Sequence, residues 1–270
     1  MIREFFKKIY YFLFQLFFGN FLLLRIAWSK KVFVIKKKNL EYFSQNIRNL
    51  NDLNTLRQIF IKEEYKFPKA INSLLFNEYC KIIENKKTPL IIDCGANICA
   101  SVNYFSSIYN NSEIVGIEPD NINFTLCEKN KIKKSKIHLI KTAVSCDNFN
   151  YDINKKNDDG RSSYIKLDVN NLDGRFKENK TITVKNILET FQTIKYQPFI
   201  IKIDIEGHEK KLFEKNTEWM NYFKFIIIEL HDWMLPEEDI SSNFHKALKE
   251  NITSYDMYNF GENTLIVNKS

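Results

Sequence analysis

The 270-residue sequence predicts an α/β fold: a doubly wound, mostly parallel seven-stranded sheet with an antiparallel last strand, preceded by a helical N-terminal region. Three observations predict it. From Pro89 onward, short apolar runs alternate with helical stretches, as in a parallel sheet with crossover helices. The first of these runs ends in Asp93 and turns at once through Gly95, where backbone freedom lets a strand open into a helix. The chain closes on two apolar runs around Gly261, a hairpin that forces neighbouring strands to be antiparallel.

The elements follow in chain order. Residues 9–24 read IYYFLFQLFFGNFLLL, flanked by Arg3, Lys7 and Lys8 before and Arg25, Lys30 and Lys31 after. The run falls short of the roughly 20 apolar residues of a membrane span, and no small-residue cleavage site follows it. Two readings stand. It is either a helix lying in the headgroup region of an anionic membrane, helped by its basic flanks and Trp28, or a buried helix packed on the main domain or on a second subunit. Next, Leu40, Phe43, Ile47, Leu50, Leu53, Leu56 and Phe60 recur every three or four residues, which predicts an amphipathic helix. Phe67–Pro68 interrupts it, and residues 71–83 predict one more helix. The expected organisation is a helical region over residues 1–68, serving membrane contact or oligomerisation, and one α/β domain over residues 69–270.

In that domain Leu90–Cys94, Glu113–Ile117 and Lys136–Ile140 predict three strands, separated by helices over Ser101–Tyr109 and Asp120–Asn130. Ser162–Leu167 and Thr181–Val184 predict hairpin-like excursions. Phe199–Ile203 and Phe225–Leu230 predict two more buried strands, with helices over Gly207–Lys215 and Pro236–Glu250. Ser254–Tyr258 and Asn263–Val267 complete the set. Seven strands in this order fit a nucleoside-cofactor-binding fold better than a TIM barrel, which needs eight βα units.

Composition narrows the function classes. Lys plus Arg number 40 against 33 Asp plus Glu, a net charge of +7, which excludes an electrostatics-only nucleic-acid binder. An apolar content of 44% excludes wholesale disorder. The 5 cysteines show no CxxC spacing and no clustered histidines, against both a disulfide framework and a structural zinc site. A reducing cytosol is the expected setting.

Chemistry begins at IIDCGANI, Ile91–Ile98. A dinucleotide loop would show GxGxxG to seat a pyrophosphate on a helix N-terminus. Here a single Gly follows a carboxylate, and an anion beside pyrophosphate would repel it, whereas the ammonium of a methionine moiety would be attracted. The loop therefore favours S-adenosylmethionine. VGIEPD then puts Glu118 at the carboxyl end of the second strand, where an acid can accept both ribose hydroxyls. Pro119 restricts the turn, and Asp120 can cap the next helix.

IDCGANI, IEPD, a GRSS segment at Gly160–Ser163, IIKIDIEGHE at Ile200–Glu209 and IIIEL at Ile226–Leu230 together resemble the FkbM family of S-adenosylmethionine-dependent methyltransferases. The resemblance covers about residues 70–268. It implies a class I methyltransferase (Rossmann-like) fold with its seventh strand antiparallel, and O-methylation of sugar or related hydroxyls in glycan or natural-product pathways. The cofactor set it implies is Asp93, Gly95, Ala96, Asn97, Glu118, Pro119 and Ala143. Two positions depart from the family pattern: Cys99 stands where the loop usually has another Gly, and His208 where a small residue is common.

Methylating an alcohol is an in-line displacement in which the hydroxyl must lose a proton. Asp204, Glu206 and His208 leave one strand, and Glu229 and His231 repeat the spacing on the next, so all five are expected at one cleft rim. Asp204 or His208 could act as general base with Glu206 orienting the hydroxyl, or Asp204, Glu206 and Glu229 could hold a divalent cation that lowers its pKa. Glu209 is expected only to cap a helix, and His138 and His245 to be structural or surface histidines. Trp233 and Tyr164 are candidate sugar-stacking platforms, although in a chain this rich in aromatics core packing is the commoner role. Two other classes compete: a nucleotide-sugar or NAD-dependent enzyme, disfavoured by the missing phosphate loop, and a silent cofactor-binding module. The expected partners are a small-molecule or glycan acceptor and no nucleic acid. The expected location is the cytoplasm, at the inner face of the membrane if the N-terminal run docks there.

Overall fold

A computed structural model describes residues 19–25, 29–133, 136–155, 163–167, 180–191, 194–233 and 239–270. It opens with a three-stranded antiparallel sheet, β1 (Phe21–Arg25), β2 (Lys31–Lys36) and β3 (Glu41–Asn46), in that order. A short helix α1 (Leu50–Leu56), a π-helical turn (Arg57–Ile61) and α2 (Lys69–Glu84) follow.

The α/β unit then runs β4 (Thr88–Cys94), α3 (Ala100–Ile108), β5 (Glu113–Ile117), α4 (Asn121–Asn130), β6 (Lys136–Ile140), a small hairpin β7 (Tyr151–Lys155) and β8 (Ser163–Leu167), and α5 (Val184–Thr190). It ends with β9 (Tyr196–Ile203), the single turn α6 (Glu209–Leu212), a 3-10 turn over Glu218–Tyr222, β10 (Phe225–Glu229), α7 (Ile240–Asn251), β11 (Tyr255–Phe260) and β12 (Asn263–Asn268). The seven-stranded sheet has the order β11-β12-β10-β9-β4-β5-β6. β12 runs against both its neighbours, and the remaining pairs are parallel. This is the class I methyltransferase topology the motifs imply. Its central strands are near-continuous apolar runs because helices cover both faces. One buried cluster joins Ile91, Ile114 and Phe199 to α2, α3 and the N-terminal elements; the other joins Ile92, Ile201 and Ile228 to α5, α6 and α7.

Local chemistry sets several boundaries. Asp120 caps α4, its Oδ1 accepting from the Ile122 and Asn123 amides at 2.8 and 2.9 Å. Thr183 and Asn186 form a reciprocal capping box that starts α5, so the expected excursion at Thr181–Val184 leads into a helix.

The helical N-terminal region is the main correction. Among the described residues, 41–46 form a strand and helix begins only at Leu50, where Asn49 caps the first turn. The spacing of Phe43 and Ile47 is also compatible with strand alternation, since Phe43, Gln45 and Ile47 face inward, while Leu40 lies in the exposed turn before the strand. A polar residue at the middle inward position hides that alternation: Gln45 is fully buried and donates from Nε2 to the Asn130 carbonyl at 3.0 Å. Phe21–Arg25, expected at the end of a long apolar helix, is β1. Residues 1–18, Trp28 and residues 160–162 of the GRSS segment lie outside the described residues, as does the side chain of Tyr164. No helix among the described residues is long and apolar enough to cross a membrane.

The N-terminal elements pack directly on the α/β unit. Phe21 and Phe60 are fully buried with ring centroids 5.2 Å apart, each burial worth about 1.5–3 kcal/mol. Asn130 is the polar hub of this junction. Its Oδ1 accepts from the Asn46 amide at 2.7 Å, and its Nδ2 donates to the carbonyls of Asn46 and Ile98, each at 3.0 Å.

Candidate active site

The site lies at the carboxyl ends of β4, β5, β9 and β10, where open α/β sheets bind ligands. Three strand ends are knitted by backbone bonds there. The Gly95 and Ala96 amides donate to the Ile117 carbonyl at 3.0 and 2.9 Å, and the Asp204 amide donates to the Cys94 carbonyl at 3.0 Å. Gly95 sits at φ +95°, and a Cβ built on it would lie 1.9 Å from the Asp204 carbonyl oxygen. Only glycine allows β4 and β9 to meet this closely. Cys99, at φ +74°, occupies a left-handed backbone position that suits glycine, which explains the family preference there.

Asp93 and Lys202 face each other across β4 and β9. Asp93 is fully buried; its Oδ1 lies 3.1 Å from the Lys202 ammonium and its Oδ2 accepts from Ser101 Oγ at 2.5 Å. Lys202 Nζ also donates to the Gly95 carbonyl at 2.9 Å and lies 3.3 Å from Asp204 Oδ2. Burial disfavours the Lys202 charge, yet Asp204 and Asp93 hold its pKa well above the usual lysine value. Burial likewise pushes the Asp93 carboxyl up, against the pull of Lys202. Asp93 therefore stands behind the loop with a resident cation, and Gly95, Ala96 and Asn97 line the cavity in front of it.

Glu118 is buried beyond the end of β5, and its carboxylate organises the loop. Oε2 accepts from the Asn97 amide at 2.9 Å and Oε1 from the Asp120 amide at 2.9 Å. Burial pushes its pKa up to about 7. Pro119 follows it, and Ala143 lies buried after β6, so the expected cofactor contacts span three adjacent strand ends, those of β4, β5 and β6.

The cavity encloses about 370 Å³, within the roughly 300–1,000 Å³ of small-molecule sites. Asp204, Glu206, Glu229 and His231 converge on it. His231 Nε2 is 3.5 Å from Glu229 Oε1, 3.7 Å from Asp204 Oδ1 and 4.0 Å from Glu206 Oε2. Glu206 reaches the cluster through a turn, with φ +54° and then +92° at Gly207, where an extended strand was expected. Burial, reinforced by Asp204, raises the Glu206 pKa to about 7 and pushes Glu229 upward as well. Burial lowers the His231 pKa, but the Glu209 hydrogen bond and the surrounding carboxylates outweigh it and raise the value to about 9. His208 does not join the cluster. It is buried, does not line the cavity, and its ring nitrogen lies 3.3 Å from Ser145 Oγ; burial brings it down to about 4.

Four contributors escaped the sequence reading. Glu209 does lie in a first helical turn, but its fully buried carboxylate accepts from the Ile205 amide at 3.1 Å and from His231 Nδ1 at 2.9 Å. A lysine inside the apolar strand IIKIDI signals a buried charge in need of partners, and that signal could have found Lys202. Gln58 and Glu64 carry no signal, because they come from the N-terminal elements to wall the cavity opposite β10. Glu64 Oε1 accepts from Gln58 and Asn263 at 2.8 and 3.1 Å. Trp233 stands at the mouth, 73% exposed, its ring centroid 6.2 Å from that of His231.

Asp204, Glu206 and His231 present ligand atoms within 4.8 Å of one another, close enough to share a divalent cation. Glu229, expected in that set, groups instead with Glu64 and Glu262. The donor set fits a cationic cofactor: Glu64, Asp204, Glu206, Glu229 and Glu262 outnumber Lys202 and His231 around the cavity.

Comparison with known proteins gives the following. Residues 93–256 match the family model described as the methyltransferase FkbM domain. No curated protein matches the sequence. Among solved structures, monomeric WbdD matches at TM-score 0.42 and 10% identity, over 75% of this chain and 42% of that one, so the chain spans less than half of WbdD. The plantazolicin methyltransferase BpumL in complex with SAH matches at TM-score 0.39 and 11% identity, over 81% of this chain and 91% of that one.

Proposed function

Because the chain belongs to the FkbM methyltransferase family and is an S-adenosylmethionine-dependent methyltransferase, we propose that it O-methylates a sugar or related hydroxyl in glycan or natural-product biosynthesis, with His231 taking the proton. The observation that carries this reading is the hydrogen bond between His231 Nδ1 and Glu209 at 2.9 Å. It fixes the neutral tautomer that leaves the Nε2 lone pair facing the cavity.

Gly95, Ala96 and Asn97 would hold the donor's methionine end, and Glu118, Pro119 and Ala143 its nucleoside. When bound, the donor supplies an electrophilic methyl on a cationic sulfur. The chain's residues do the rest. Asp204, kept beside the Lys202 ammonium, and Glu206 orient the acceptor hydroxyl. His231 would take the hydroxyl's proton at Nε2, with the methyl supplied by the bound donor and the carbon–sulfur electron pair retained by its sulfur. The Glu209 carboxylate stabilises the resulting imidazolium. Trp233 offers a face for a sugar ring at the mouth.

The pH profile has a definite sign. A proton acceptor must be unprotonated, and the His231 pKa is raised to about 9, so kcat/KM should climb with pH, reach half its maximum near 9 and level off only above that. A profile flat across pH 6–9 would exclude His231 from this role. Glu118→Ala removes the acceptor for two backbone amides, so S-adenosylmethionine binding should weaken by about tenfold or more in calorimetry. Unchanged affinity would place the nucleoside elsewhere.

The acceptor class is tested by mass spectrometry of glycans from cells with and without the gene. Loss of a methyl-sized increment from a sugar is expected. An unchanged glycan profile, with transfer by the purified chain to a non-sugar acceptor, would overturn the sugar assignment.

A further inference from the structure

The N-terminal sheet has an outward face that the catalytic reading leaves unused. Its inner side chains, Phe21, Val32, Val34 and Gln45, are buried against the α/β unit. The outer ones form two cross-strand rows, Leu22–Ile35–Tyr42 and Leu24–Phe33–Ser44. Five of these six are apolar or aromatic. Tyr42 is 71% exposed and Leu24 42%, while Leu40 at the β2–β3 turn is 74% exposed. Outward strand positions over water are ordinarily polar.

Charge is segregated onto the same segment. Residues 5–40 contain eight Lys and Arg and no Asp or Glu, whereas the remaining residues carry 32 Lys and Arg against 33 Asp and Glu. The whole positive surplus of the protein thus lies in the stretch that includes β1 and β2, and Arg25, Lys30, Lys31 and Lys38 are exposed around the apolar rows. A second copy meeting this face by two-fold symmetry would set one cationic surplus against another. Nucleic acid would meet apolar rows where its phosphates need donors. An anionic lipid surface satisfies both features, with lysines at the headgroups and leucine and aromatic side chains at the acyl boundary.

We propose that the outer face of β1–β3 and the β2–β3 turn dock on an anionic membrane surface. Leu24, Leu40 and Tyr42 enter the boundary, and the exposed lysines pair with lipid phosphates. The catalytic cavity is walled by α1 and the segment that follows it, so docking would hold the site close to the bilayer.

Co-sedimentation of the full chain with vesicles tests this. Binding is expected to vesicles containing about one-third phosphatidylglycerol, not to pure phosphatidylcholine, and is expected to fall with added salt. Two variants probe the two features separately: Lys30→Glu with Lys31→Glu and Lys38→Glu, and Leu40→Ser with Tyr42→Ser. Each should weaken vesicle binding by about tenfold or more. Because none of the five lies in the cavity, S-adenosylmethionine binding should be unchanged in both, which separates this outcome from any failure of the catalytic reading. Equal binding to neutral vesicles, no binding, or full binding by the charge-reversed variant would overturn the proposal. So would self-association or nucleic-acid binding that disappears in these variants while vesicles are ignored.

Discussion

His231→Gln is expected to lower kcat by roughly 10²–10⁴-fold while S-adenosylmethionine affinity stays within about threefold. The side chain is 2% exposed, held at Nδ1 by Glu209 and ringed at Nε2 by three carboxylates, so it is positioned for proton transfer and not for nucleoside contact. Glutamine can occupy the space and keep a hydrogen bond to Glu209, but it cannot accept the acceptor's proton. The companion change Glu209→Gln separates positioning from packing. Replacing the anion with a neutral amide lowers the His231 pKa, so the rising limb of kcat/KM should move to lower pH, and maximal kcat should fall because the imidazolium loses its counter-charge. A purely structural Glu209 would lower the melting temperature and leave the limb where it was. Should His231→Gln retain wild-type kcat, Asp204 becomes the proton acceptor.

Gly95→Ala is expected to cost about 4–5 kcal/mol or more, a melting temperature lower by roughly 10–20 °C, together with loss of S-adenosylmethionine binding. Its φ of +95° is strained for any L side chain, and the added Cβ would sit 1.9 Å from a backbone oxygen, which no rotamer change relieves. Relief requires β4 and β9 to part by about an ångström. That movement would break the Asp204–Cys94 backbone bond and the Lys202–Gly95 bond, and would leave Asp93 buried without its cation. A melting temperature within about 2 °C of wild type would show that the strand ends are not so tightly joined.

The sheet was legible because each strand is a short apolar run ending in distinctive turn chemistry. Asp93–Gly95, Glu118–Asp120 and Asp204–Gly207 mark three carboxyl edges, and these sequence-distant motifs meet in one place. The N-terminal region was less legible. An inward Gln45 breaks the alternation that would have announced a strand, and its partner Asn130 lies 85 residues away. In the site, an assumed extended path grouped His208 with Asp204 and Glu206. The left-handed turn at Glu206 and Gly207 breaks that path; Glu206 stays in the cluster and His208 joins Ser145 instead. Glu209 resembled a helix cap because helix position and histidine support are compatible in one residue. The wall formed by Gln58, Glu64 and Tyr65 depends on how the N-terminal elements pack, which no local pattern encodes.

The most direct measurement is a crystal structure of the full chain with S-adenosylhomocysteine. The amino-acid end and sulfur should lie against the Gly95–Asn97 loop, the ribose hydroxyls at Glu118, and the sulfur should face the space that His231 Nε2 borders. A nucleoside bound away from Glu118, or a sulfur turned from the His231 cavity, would contradict the account.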